Sequence, residues 1–92
     1  MTAITVTAQH IAAGVREDCE NCPIALAILE AFPGVGYVAV GPGTCTIAPA
    51  DGPTGATDVD LPESALNFIW DFDDGGHPKP FTFTLDYPAA TP

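Results

Sequence analysis

The chain has 92 residues, 47% of them apolar, and sets twelve acidic residues against two basic ones, Arg16 and Lys79, for a formal charge of −10. That length gives a single domain, residues 1–92, with one modest core, and that apolar content excludes a disordered acidic tail. The scarcity of Lys and Arg excludes direct nucleic-acid binding, which needs cations on phosphates, and disfavours anionic membranes on the same ground.

An acid surplus suits solubility, basic partners or high salt. It also fits a GC-rich or halophilic source, given the abundant Ala, Gly, Thr and Pro. The opening MTAITVTAQH has neither a basic region nor an apolar run, so no secretory signal is expected. No stretch is apolar for long enough to cross a bilayer. Three cysteines, an odd number, argue against a disulfide framework and for a reducing, cytosolic location.

In chain order, Ala3 to Val6 alternates with a period of two and reads as a strand. Thr7 is an N-cap for a short helix from Ala8 to Ala13, which Gly14 ends as the C′ residue. At about one and a half turns, that helix depends on packing rather than propensity. Val15 to Asn21 is a polar connector. The stretch CPIALAILEAF, Cys22 to Phe32, is apolar except for Glu30 and predicts a buried central helix with Glu30 as its wet position. Asn21 or Cys22 caps it, Pro23 occupies its first turn, and Pro33-Gly34 stops it.

Gly36 to Val40 and Thr44 to Ala48 predict a hairpin around Gly41-Pro42-Gly43, with Cys45 and Ile47 facing inward. Pro49 to Gly55 is a loop by composition. Ala56 to Leu61 predicts a third short strand with Val59 and Leu61 inward and Asp58 and Asp60 outward. Pro62-Glu63 opens an amphipathic helix to about Asp74, with Ala65, Leu66, Phe68, Ile69, Trp70 and Phe72 on one broad side. Trp70 is assigned to the rim of the core, because its indole N–H needs a partner. Asp71, Asp73 and Asp74 crowd the C-terminal turn, where the helix dipole disfavours anions. Phe81 to Tyr87 is the clearest strand of the chain, and the tail 88–92 is read as flexible.

The expected fold class is α+β. It is a small single domain in the order β-α-α-β-β-β-α-β, with an antiparallel-rich sheet of about four to five strands. The buried central helix and the second amphipathic helix lie on one face of that sheet. Thr5, Thr44, Thr46, Asp58, Asp60, Thr82, Thr84 and Asp86 populate the other face.

Several constellations invite chemistry. Cys19-Glu20-Asn21-Cys22 is a C-x-x-C at a helix start, a place that lowers thiol pKa values. Its acidic neighbours Glu17, Asp18 and Glu20 oppose thiolate, and no thioredoxin-type βαβ unit precedes it. A zinc set would take Cys19, Cys22, Cys45 and His10 or His77, but one C-x-x-C supplies only half of such a site. Cys45 on an inward strand face behaves as a small hydrophobe. Asp71-Phe72-Asp73-Asp74-Gly75-Gly76 fails as an EF-hand loop, since its fifth place is Gly75 and its twelfth is Thr82. His10 and His77 are the candidate bases. Neither is accompanied by a nucleophile, and no G-x-S-x-G, P-loop or H-E-x-x-H motif occurs. A non-enzymatic protein with no catalytic residues and no resident cofactor is expected.

VTAQHIAAGVREDCENCPIALAI, followed by LPESALNFIWDFDDGGHPKPFTFTLDY, resembles a group of short uncharacterised proteins of actinobacterial phages and prophages. The shared pattern is an opening strand, H-I-x-x-G, then C-P-I-A-L-A, an aromatic helix with F-D, and a final P-F-x-F strand. It covers most of the chain outside residues 36–60. The resemblance implies a phage protein at work in the bacterial cytoplasm and brings no activity with it. Together with the charge, it leads to the expectation of an accessory protein that occupies a host or defence protein with a basic surface, its acids standing in for nucleic-acid phosphate. The expected partner-binding residues are Asp58, Asp60, Asp71, Asp73, Asp74 and Asp86. The alternatives are a self-associating structural or virion-related module, pairing as a homodimer through the threonine-rich face or an open sheet edge, and a zinc-stabilised small domain.

Overall fold

The structure is a computed structural model that describes residues 2–50 and 55–86. Three expectations from the sequence fall outside those residues: the middle of the 49–55 loop, the end of the last strand at Tyr87, and the tail 88–92. The fold is α+β, with five strands and three helices in the order β1 (Thr2–Val6), α1 (Ala8–Ala13), α2 (Pro23–Ala31), β2 (Val35–Val40), β3 (Thr44–Pro49), β4 (Thr57–Asp60), α3 (Glu63–Asp73) and β5 (Phe81–Leu85). All strand pairing is antiparallel and divides into two sheets, β1-β5 and β2-β3-β4. The first and last strands of the described chain thus close on each other, with Ile4 opposite Phe83 and Val6 opposite Phe81.

Helix α2 joins the two sheets by packing against both β1 and β2, and α1 lies against it. Ile24, Ala25, Ala27 and Ile28 of α2 are buried, and Glu30 is exposed as its charge requires. Cys22 caps the helix through its thiol, whose Sγ accepts the Ala25 N–H at 3.4 Å. Pro23 follows at the first helical position, where its missing N–H forfeits no bond.

Alternation places Ile4 and Val6, Val38 and Val40, Cys45 and Ile47, Val59, and Phe83 and Leu85 in one core. The threonines and aspartates between them face out, as the period of two dictates. Two cross-strand bonds tie that outer face together. Thr5 and Thr82 share a hydroxyl contact of 3.1 Å, and the Thr46 hydroxyl donates to Asp58 Oδ1 at 2.7 Å.

Gly14 ends α1 for a different reason from the one its type suggests. It is not left-handed, with φ −70° and ψ 153°. It is small because Pro23 lies against it: a Cβ here would stand 2.5 Å from the ring's Cδ and Cγ. Gly75 does take the left-handed role at the end of α3, with φ +87°. The Gly75 N–H reaches the Phe72 carbonyl at 3.2 Å and the Gly76 N–H reaches that of Asp71 at 2.8 Å, which together make a Schellman motif.

Helix α3 buries a narrower stripe than its composition suggests. Ala65, Phe68 and Phe72 are buried, while Leu66 and Ile69 are partly covered. Phe68 stacks on Phe81 of β5 at 4.9 Å between ring centres, and Phe81 on Phe83 at 5.6 Å. Trp70 does not belong to the core rim: it is 62% exposed.

Candidate functional site

The six aspartates expected to bind a partner fall into two places. Asp58 and Asp60 project from β4 because their neighbour Val59 is buried, and Asp86 follows the end of β5. These three, with Thr57 and Val59, line a shallow depression of about 260 Å³. Asp73 and Asp74 stand at the end of α3, where they share an open depression with Trp70 and Glu17. Asp71 is exposed on the same turn, with its carboxylate against Gly76, and borders neither depression.

The surroundings of the α3 end show how its charge conflict is managed. The Arg16 Nε donates to the Phe72 carbonyl at 2.9 Å, and its guanidinium lies 5.1 Å from the Phe72 ring centre. One cation therefore adds a second bond to a last-turn carbonyl that the Gly75 N–H also reaches, and offsets the dipole's negative end. Asp73 Oδ1 accepts the Glu17 N–H at 3.0 Å, which holds Glu17 in the left-handed region at φ 58°. Asp18 orders the rest of the connector by accepting the Glu20 and Asn21 N–H groups, each at 3.0 Å. The Glu20 amide first, then the Asn21 side-chain amide at 3.2 Å, hold its carboxyl below the ordinary aspartate value. The Val40 N–H donates to the Cys19 carbonyl at 2.8 Å and pins the connector to β2.

Connector, β2 end and α3 enclose a groove of about 280 Å³. Its apolar lining comes from Cys22, Val40, Pro42 and Ile69, with Trp70 as one wall and Glu17, Asp18 and Asp73 as acidic rim. Sequence reasoning missed this site, and the signal for it was present. Trp70 lies two residues from both Phe68 and Phe72, so at helical spacing it points away from the stripe they define.

The cysteines are free; Cys19 is exposed, and Cys22 and Cys45 are buried. Burial pushes the Cys22 thiol up and the Cys45 thiol up to about 11, so both resist forming thiolate. Among the described residues, no three of His, Cys, Asp and Glu are arranged to hold a metal ion. The set Cys19, Cys22, Cys45 and His10 is thus not assembled into a zinc site, and the first half of it, Cys22, is occupied as a helix cap.

His10 is 9% exposed and is held on both ring nitrogens. Nδ1 accepts the Thr7 backbone N–H at 3.0 Å, which fixes Nε2 as the protonated nitrogen donating to Glu30 Oε1 at 2.9 Å. The Thr7 hydroxyl lies 3.2 Å from Nδ1, a nucleophile the sequence reading did not place there. The chain Thr7–His10–Glu30 has the order of a hydrolytic triad, but the Nδ1 lone pair already serves the Thr7 amide as a capping box. This nitrogen is therefore not available to take the hydroxyl proton. His77 is exposed on the segment after α3.

No described helix is long and apolar enough to cross a membrane. Comparison of the chain with protein-family models, curated proteins and solved structures returned no match.

Proposed function

We propose that this chain is a small acidic accessory protein, of the phage kind its sequence resembles, working without catalysis in the bacterial cytoplasm. It binds a host or defence protein through its anionic surface and occupies a basic face that otherwise meets nucleic acid. One observation carries the reading. Asp58, Asp60 and Asp86 in one depression, and Asp73 and Asp74 in the other, face solvent with no Lys or Arg paired to them among the described residues. Arg16 is spent inside the fold on Phe72. Carboxylates fixed on strands and a helix end, with no internal counter-charge, leave a preorganised negative field for a basic partner.

The test is capture of partners from host lysate at low and high salt, using the native protein and two charge-reversed forms. One form carries Asp71→Lys, Asp73→Lys and Asp74→Lys; the other carries Asp58→Lys, Asp60→Lys and Asp86→Lys. Capture that disappears at high salt and in at least one variant is expected, with circular dichroism showing the fold retained. Equal capture by all three proteins at both salt concentrations overturns the reading.

A further inference from the structure

We propose that the groove beside Trp70 is an arginine-reading site, which takes an arginine side chain from an extended basic segment of a protein partner. The inference rests on the anionic-surface reading and gives it a contact point. An exposed indole is the first observation. Trp70 is the one tryptophan of the chain, stands 62% exposed, and has no aromatic or cationic neighbour stacked on it among the described residues. Tryptophan is enriched among the residues that anchor protein interfaces.

The second observation is the groove itself, about 280 Å³, with a mainly apolar lining from Cys22, Val40, Pro42 and Ile69. It is roomy enough for one long side chain and part of its backbone. The third is the rim. Glu17, Asp18 and Asp73 stand around the mouth, and Asp74 extends the acidic side beyond Trp70. The rim is rigid, because Asp73 holds the Glu17 amide and Asp18 holds those of Glu20 and Asn21.

Charge and shape together select the occupant. A purely apolar segment would leave the carboxylates unserved, and a lysine, though its stem could cover the lining, ends in a strongly hydrated point charge that neither stacks flat on an indole nor forks to a carboxylate. A guanidinium lies flat on an indole, forks to a carboxylate, and lays its aliphatic stem along an apolar wall. The chain already sets one guanidinium over an aromatic ring, that of Arg16 over Phe72.

The single tryptophan makes the site its own reporter. The native protein is titrated at low salt with three blocked tripeptides, Arg-Leu-Arg, Lys-Leu-Lys and Glu-Leu-Glu, and read by tryptophan emission and by calorimetry. The arginine peptide should give a saturable blue shift and bind more tightly than the lysine peptide, with the glutamate peptide silent. By calorimetry, Trp70→Ala should weaken the arginine peptide about tenfold. Asp73→Asn, which still accepts the Glu17 amide, should weaken it several-fold, and Glu63→Gln, at the opposite end of α3, should leave it unchanged. Undiminished affinity in Trp70→Ala, equal binding of the glutamate peptide, or no binding of the arginine peptide overturns the proposal. A blue shift on concentrating the protein alone would assign the groove to a second copy and overturn it too. The broader reading is judged separately. If Trp70→Ala still captures partners that the charge-reversed forms lose, the anionic surface stands and the arginine site falls.

Discussion

At Cys45 burial and neighbouring charge act in the same direction on one thiol, and the outcome is visible in how stability depends on pH. The residue lies in β3, the central strand of its sheet, and is 1% exposed. Burial, then the charge of Asp58, then Cys22, push its thiol from 9.0 to about 11. The folded protein therefore binds this proton more tightly than the unfolded chain does. That contribution to stability is complete below about pH 9 and is lost as pH rises toward about 11. Cys22, also raised by burial, acts in the same direction, so desolvation prevails there over the thiol-acidifying effect of a helix start. The urea midpoint should fall steeply between about pH 9 and about pH 11. In Cys45→Ala the protein should be less stable at neutral pH, because of the methyl-sized void, but its alkaline decline should be shallower. A variant with an undiminished alkaline slope would show that the buried thiol is not the titrating group. At His10 a polar ring buried in a small core is tolerated because both nitrogens are bonded.

At the scale of elements, the meeting of α1 and α2 depends on a missing side chain. The Gly14 position and the Pro23 ring are in contact, and a proline ring cannot swing aside as a lysine tip can. Gly14→Ala should destabilise the protein by about 1–3 kcal/mol through overpacking. Gly34→Ala, at a position with nothing within 4 Å, should stay within roughly 0.5 kcal/mol of the native protein. Denaturant titration of the two variants side by side checks this, and equal midpoints would remove the packing account. Here the sequence was legible as to place but not as to cause, since glycine at a helix end is ordinarily a left-handed residue and here it is a contact. Most elements were legible, because each rests on local information: alternation for β1 and β5, Pro at the start of α2, the Gly41-Pro42-Gly43 turn between β2 and β3. The division of the strands into two sheets was not, because it depends on which edges meet and not on any strand's own pattern. The Asp58, Asp60 and Asp86 cluster was readable as an outward face. The Trp70 groove is less legible in the sequence, because helical spacing spreads the apolar positions of α3 over one broad side when only the Ala65, Phe68 and Phe72 stripe is buried.

For the molecule as a whole, charge sets fold and function against each other. Ten net negative charges sit on a body of 38 × 22 × 22 Å, so the carboxylates repel one another across its surface. The repulsion is long-ranged, and salt near 0.1 M, with a screening length of about 10 Å, removes most of it between distant groups. A complex with the proposed basic partner would draw on the same field with the opposite sign. Adding sodium chloride from about 0.02 M to about 0.5 M should therefore raise the melting temperature of the isolated protein while it lowers its affinity for the partner. The two trends separate the possible origins of the acidity. A surface selected only for solubility in salt gives the first trend and no partner to show the second. A nucleic-acid mimic shows both, and its Asp73→Asn and Asp74→Asn forms melt higher at low salt, because repulsion at the α3 terminus is relieved, yet bind more weakly. Residues that are unfavourable for the free fold and favourable for the complex are the mark of a binding surface. Variants in which both quantities improved together would show that the charge at the end of α3 serves no partner.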